Sequence, residues 1–178
     1  MNVLDQGGNA YILHPIQVMY NLNTDDAELK QIAILHDVIE DCTKYIMKKH
    51  FMETLTEEAA HKHTDTIYSN SSVEKRIDIS LEILKHWGFS DRVIKALKLM
   101  TKLSSDKGEE GYFNYIRRMF NNIDAIRVKM ADIRHNSDLL RMKGTTKKDL
   151  SRTSKYAVAF GLLNDRLKEV CVNGCLTI

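Results

Sequence analysis

The chain has 178 residues, 43% of them apolar and 28% charged, with a formal net charge of +2. That length suits one domain with a full core, and so small a charge gives no argument for a nucleic-acid or anionic-membrane partner, and none is expected. No apolar run approaches the ~18 residues of a membrane span, the opening residues lack a signal-peptide pattern, and three scattered cysteines (Cys42, Cys171 and Cys175) make no disulfide framework. A cytoplasmic protein with free thiols is expected.

One proline and eight glycines leave little punctuation for a many-stranded fold, and apolar residues recur mostly at helical spacing. Pro15 suits the first turn of a helix through "IQVMYNL". "NTDD" follows as a turn, with Thr24 the expected N-cap and Asp25, Asp26 and Glu28 well placed in the first turn. Leu29, Ile32, Ala33, His36 and Glu40 repeat at threes and fours, which predicts one face of a single helix. Residues 50–73 are polar and end like a loop, so 48–73 is expected to be an insertion or an excursion from the core. Helices are then predicted over 74–87 with "GF" as its stop, and over 91–100, 112–120, 125–134 and 149–170. There is no internal repeat, and the sum is an all-α bundle in a single domain over 1–178.

The stretch "AILHDVIEDC" places His36, Asp37, Glu40 and Asp41 inside an otherwise apolar segment. On a helix His36 faces Glu40 and Asp37 faces Asp41, one turn on. Burying so many charges without partners is very costly, and a divalent cation is the simplest compensation. Two further residues can complete a site: His14, just before Pro15, and Asp132, on a late and largely apolar helix. A mixed nitrogen and oxygen set of this kind suits Mn²⁺, Fe²⁺, Zn²⁺ or Mg²⁺, with positions left for water and substrate.

The ordered set "YILHP", "LHDVIED", "MTKL" and "VKMADIRHN" resembles the HD-domain metal-dependent phosphohydrolases. Within that superfamily it is most similar to the RelA/SpoT-type hydrolases and their small stand-alone relatives, over roughly residues 6–167. Those enzymes remove the 3′-pyrophosphate from the alarmones ppGpp and pppGpp with Mn²⁺. The resemblance implies an HD-type helical bundle with its metal site between helices, with His14, His36, Asp37 and Asp132 as ligands. It implies that Glu40 and Asp41 handle the attacking water and its proton, that Asn136 contacts substrate, that Lys129 helps electrostatically and that Lys102 contacts substrate. A small nucleotide is the implied partner.

The chain departs from the family in three places. Asp5 and Gln6 stand nearest the position of the family's base-contacting basic residue; Ile133 rather than arginine follows Asp132; and 48–73 has no counterpart. The first departure supports an alternative substrate, a deoxynucleotide or NADPH, on the same metal chemistry. An HD module without catalysis would show damaged ligands or a damaged Glu40–Asp41 pair, and neither is seen. "GGNAY" lacks the lysine and hydroxyl residue of a P-loop. His50, His61, His63 and His86 read as surface residues, His135 as a supporting or core histidine, and Met100, Met119, Met130 and Met142 as core filler. Tyr11 reads as a core or rim residue.

Overall fold

A computed structural model describes residues 10–139 and 144–175, with side chains to 172. The described residues form α1 (Leu13–Asn21), α2 (Ala27–Leu35), α3 (Val38–Phe51), α4 (Glu57–Ser69), α5 (Val73–His86), α6 (Asp91–Met100), α7 (Gly108–Arg118), α8 (Ile123–Asn136) and α9 (Lys147–Cys175), and they include no strand. The expected all-α bundle is what forms.

α8 is the hub. Residues Ala125 and Ile126, and every residue from Val128 to Ile133, are buried, because α1, α2, α6 and α9 all pack on this helix. A helix apolar on nearly all sides belongs at the centre of a bundle. Lys129 and Asp132 are the two charges carried into that interior. On one flank α3 packs against α5 and α4, and α5 joins this layer to α6.

The helix ends are set by local chemistry. Ser72, Ser90 and Asn122 cap α5, α6 and α8, accepting from Lys75 N, Val93 N and Ala125 N at 3.2, 3.3 and 2.9 Å; each such cap contributes about 1 kcal/mol. α5 stops in a Schellman arrangement. Gly88 takes φ +94°, its N–H donates to Lys85 O, and Phe89 N–H donates to Leu84 O. At the start of α2 the cap is Asp26 and not the expected Thr24. Asp26 is extended and accepts from Leu29 N at 3.0 Å, while Thr24 Oγ1 accepts from Asp26 N at 3.2 Å and shapes the turn before it.

Two further expectations are corrected. The segment expected as one helix is two, since α2 ends at Leu35 and α3 begins at Val38. Asp37 between them has φ −102° and ψ −6°, the bridge region where many site residues sit. The apolar spacing survives the break, which is why periodicity runs straight through it. Second, the polar stretch expected as an excursion carries a helix, α4, over 57–69, and only its end at 70–72 is the turn that was expected; Thr56 caps the helix, Glu57 and Glu58 occupy its first turn, and Ala60 and Thr64 seal it onto α3.

Arg92, at the start of α6, ties three helices. Its guanidinium grips Asp124 of α8 through Nε and Nη2 at 2.8 and 2.9 Å. It also donates to Asp26 at 2.6 and 3.2 Å and to Glu28 at 3.1 Å. Bidentate pairing of this kind is the strong form of the ion pair.

Candidate metal centre

Four donor groups meet where α1, α8 and the α2–α3 break converge. His14 lies in the first turn of α1, His36 and Asp37 occupy the break, and Asp132 faces inward from α8. His14 Nε2 is 3.5 Å from Asp37 Oδ2 and 3.2 Å from Asp132 Oδ1. His36 Nε2 is 3.2 and 3.6 Å from the same two oxygens. Nitrogen and oxygen thus alternate around a closed ring. Donor atoms about 2.0–2.2 Å from one shared cation stand roughly 3.0–3.5 Å apart, so the spacing fits such an ion. All four expected ligands are brought together.

The histidine tautomers matter here. His36 Nδ1 is 2.7 Å from Ala33 O. A carbonyl only accepts, so Nδ1 carries a proton. That leaves Nε2 buried, without a hydrogen-bond partner, and facing two carboxylate oxygens. A neutral imidazole nitrogen aimed at carboxylates is repelled unless a proton or a cation lies between them. His14 is held from behind, with its Nδ1 2.6 Å from His135 Nδ1 and the two rings stacked. His135 therefore takes the supporting role expected of it.

The electrostatics are those of a tightly coupled cluster. Burial lowers the His36 imidazolium, but Asp132 and Asp37 outweigh it and push the group up to about 10. His14 is raised by the same two carboxylates against its own burial. Burial raises both carboxyls, yet His14 and His36 carry Asp37 below its ordinary range, and Lys129 with the two histidines does so for Asp132. Without a cation, protons on the imidazoles balance the charge; a bound cation would displace them.

The remaining expected residues sort into two groups. Lys129, only 7% exposed, donates through Nζ to Asp132 Oδ2 at 2.7 Å, and Asn136 Nδ2 donates to Asp132 Oδ1 at 2.5 Å. Both residues, expected to help electrostatically and to contact substrate, are hydrogen-bonded to Asp132. Glu40 and Lys102 form the second group. Glu40 Oε1 accepts from the Lys102 backbone N–H at 2.8 Å, and Lys102 Nζ donates to Oε2 at 3.0 Å. The buried Tyr115 ring lies under Lys102, Arg118 and Lys129 at 5.6, 5.3 and 5.3 Å, and its hydroxyl donates to Met100 O.

Tyr11 is the residue that sequence reasoning placed in the core or rim. Its hydroxyl lies 3.0 Å from Asp37 Oδ2 and 2.6 Å from Asp41 Oδ2, linking the ligand carboxylate to its neighbour one turn on. Burial, then Asp41 and Asp37, hold this phenol far above its usual range, so it remains a donor. Its position three residues before His14, in "YILHP", was the available signal.

Asp5, Gln6 and Met142 lie outside the described residues. Met100, Met119 and Met130 are core residues as expected. Cys42 and Cys171 are free thiols. His61 and His63 are exposed on α4. No described helix is long and apolar enough to cross a membrane. Neither the models of known protein families nor the curated proteins match this chain.

Proposed function

We propose that this chain is an HD-type, metal-dependent phosphohydrolase that removes the 3′-pyrophosphate from guanosine 3′,5′-bis(diphosphate), ppGpp. The observation that carries the reading is the convergence of His14, His36, Asp37 and Asp132, with His36 Nε2 buried, unbonded and aimed at the two carboxylates. Those four residues would hold the cation, Mn²⁺ by resemblance to the family. When bound, it supplies Lewis acidity, drawing charge off phosphoryl oxygens and making water a better nucleophile at neutral pH.

The chain's own residues do the rest. Water attacks phosphorus, the P–O bond to the nucleotide 3′-oxygen breaks, and the electron pair departs with that oxygen, which takes a proton from solvent to become the 3′-hydroxyl of GDP. Glu40 takes the water's proton on Oε2, while Oε1 stays tied to the Lys102 N–H and keeps the carboxylate aimed. The Lys102 ammonium beside it offsets charge on the pyrophosphate. Tyr11 orients Asp41 and Asp37 together, and Lys129 and Asn136 fix Asp132.

The test is release of GDP and pyrophosphate from ppGpp by the purified chain, with Mn²⁺ and with chelator. Both products should appear only with metal. Glu40→Gln should keep the metal and lose about 10²–10⁴-fold in turnover. A Glu40→Gln chain with full turnover would remove the proton role. A folded, Mn²⁺-loaded native chain that leaves ppGpp intact would sink the substrate assignment. Asp5 and Gln6, where the family has a basic base contact, favour a second reading in that event: the same chemistry on NADPH or a deoxynucleotide.

A further inference from the structure

We propose a second metal site, for a zinc-like divalent cation, formed by His50, Glu53 and His86. These residues stand outside the centre described above and join two helices that the sequence gives no reason to connect. His50 lies in the last turn of α3, Glu53 just beyond it, and His86 is the last residue of α5. One donor atom from each lies within 4.8 Å of the others.

The geometry is that of a partly assembled coordination shell. Glu53 Oε2 is 3.3 Å from His50 Nδ1 and 3.5 Å from His86 Nε2. Tetrahedral donors around Zn²⁺ at about 2.0–2.1 Å stand roughly 3.3–3.4 Å apart. His50 Nδ1 is shielded from solvent and makes no hydrogen bond, despite that nearby oxygen. The two imidazoles meet edge to face with centroids 5.1 Å apart. The other oxygen, Oε1, accepts from the Trp87 indole N–H at 2.5 Å. Trp87 thereby fixes the carboxylate so that Oε2 faces both histidines, the outer support typical of a metal ligand.

The surroundings favour a cation. Two helix C-termini end here, each carrying partial negative charge. The lysines of the same turns are engaged elsewhere: Lys48 with Glu57, Lys85 with Asp91, and Lys49 over Tyr45. Two nitrogens and one oxygen match the borderline softness of zinc better than that of Mg²⁺ or Ca²⁺. Beside the trio lies an open groove of about 500 Å³, bordered also by Phe51, Lys75, Asp78, Ile79 and Glu82, whose two carboxylates outnumber its one lysine. An ion held there would clip the end of α3 to the end of α5 and brace the helix whose other end carries Glu40.

Zinc uptake by the full chain decides the matter. Native protein should bind one more equivalent of Zn²⁺ than His86→Ala or Glu53→Gln, whatever the centre at His36 does. Trp87→Phe should keep the equivalent but weaken it about 10–100-fold. Added Zn²⁺ should raise the melting temperature of a native-minus-centre chain (Asp37→Asn) and lose that effect when His86→Ala is added. Equal zinc stoichiometry and affinity in native, His86→Ala and Glu53→Gln chains would overturn the site and leave the trio as surface ion pairs. Loss of phosphohydrolase activity plays no part in either result.

Discussion

Replacing Lys129 by methionine removes the cation that keeps Asp132 ionised inside α8. The pair is buried on both sides and 2.7 Å apart. Coulomb's law at an effective dielectric of about 20 gives ~6 kcal/mol of attraction at that distance, and much of it is offset by stripping water from both groups. Truncating one partner of a buried pair costs about 3–5 kcal/mol. His14 and His36 still face Asp132 Oδ1 after the change, so the lower end, ~3 kcal/mol, is expected. For a chain of this size that is a fall of roughly 6–12 °C in melting temperature. The assay is thermal unfolding by circular dichroism, in chelator, for native, Lys129→Met, Asp132→Asn and the double variant. The double variant, with neither charge, should cost less than the two singles combined by about 2 kcal/mol or more. A Lys129→Met cost under about 1 kcal/mol, or strict additivity, would show that Asp132 is held by the histidines alone.

Two other outcomes follow from the α6–α7 connection and the glycines. Asp106 accepts from Leu103 N at 2.8 Å and from both Arg118 Nη atoms at 3.1 and 2.8 Å; burial raises its carboxyl, but Arg118 and the Leu103 N–H outweigh this and lower it below 3.8. A depressed carboxylate stabilises above its unfolded pKa and loses that contribution as pH falls through the folded value. Asp106→Asn should therefore cost about 1–3 kcal/mol in urea unfolding at neutral pH, with the gap to native shrinking as the carboxylate protonates; a cost independent of pH refutes the assignment. Gly111, in the first turn of α7, has no room for a side chain, since a Cβ would stand 2.6 Å from Asp106 C and 2.8 Å from Ser105 O, whereas at Gly161 nothing lies within 4 Å. Gly111→Ala should destabilise by about 1–3 kcal/mol and Gly161→Ala should stabilise by about 0.5–1 kcal/mol, and melting temperatures moving in the same direction would contradict this.

How much of this was legible varies by element. α6 was read to the residue, because Ser90 caps it and its apolar stripe is unbroken. α8 was foreseen as largely apolar with Asp132 standing out on it, while Lys129 was picked out by the family resemblance. The break at His36–Asp37 was invisible, since the spacing from Ile32 to Glu40 keeps helical phase across it. α4 was missed because only Ala60 and Thr64 are buried, too few to show a period, although "TEE" is a fair N-terminal signal. The four donors came from motifs, but a motif cannot tell which way Lys129 and Asn136 turn. Packing within α8 aims both at Asp132. The His50–Glu53–His86 trio joins segments distant in sequence, and no spacing rule reaches it.

The Arg92 clamp has a consequence for what the chain can tolerate. It gathers Asp26 and Asp124 at one level, and from there α2 climbs about 15 Å to His36 while α8 climbs about 12 Å to Asp132, at ~1.5 Å per residue. The heights of opposing donors are therefore measured from a shared baseline on the far side of the bundle. Inserting one residue in either run would lift its donor by ~1.5 Å and swing it by about 100°, out of reach of the ring. The stretches 27–35 and 125–131 are thus gauge blocks whose length is fixed.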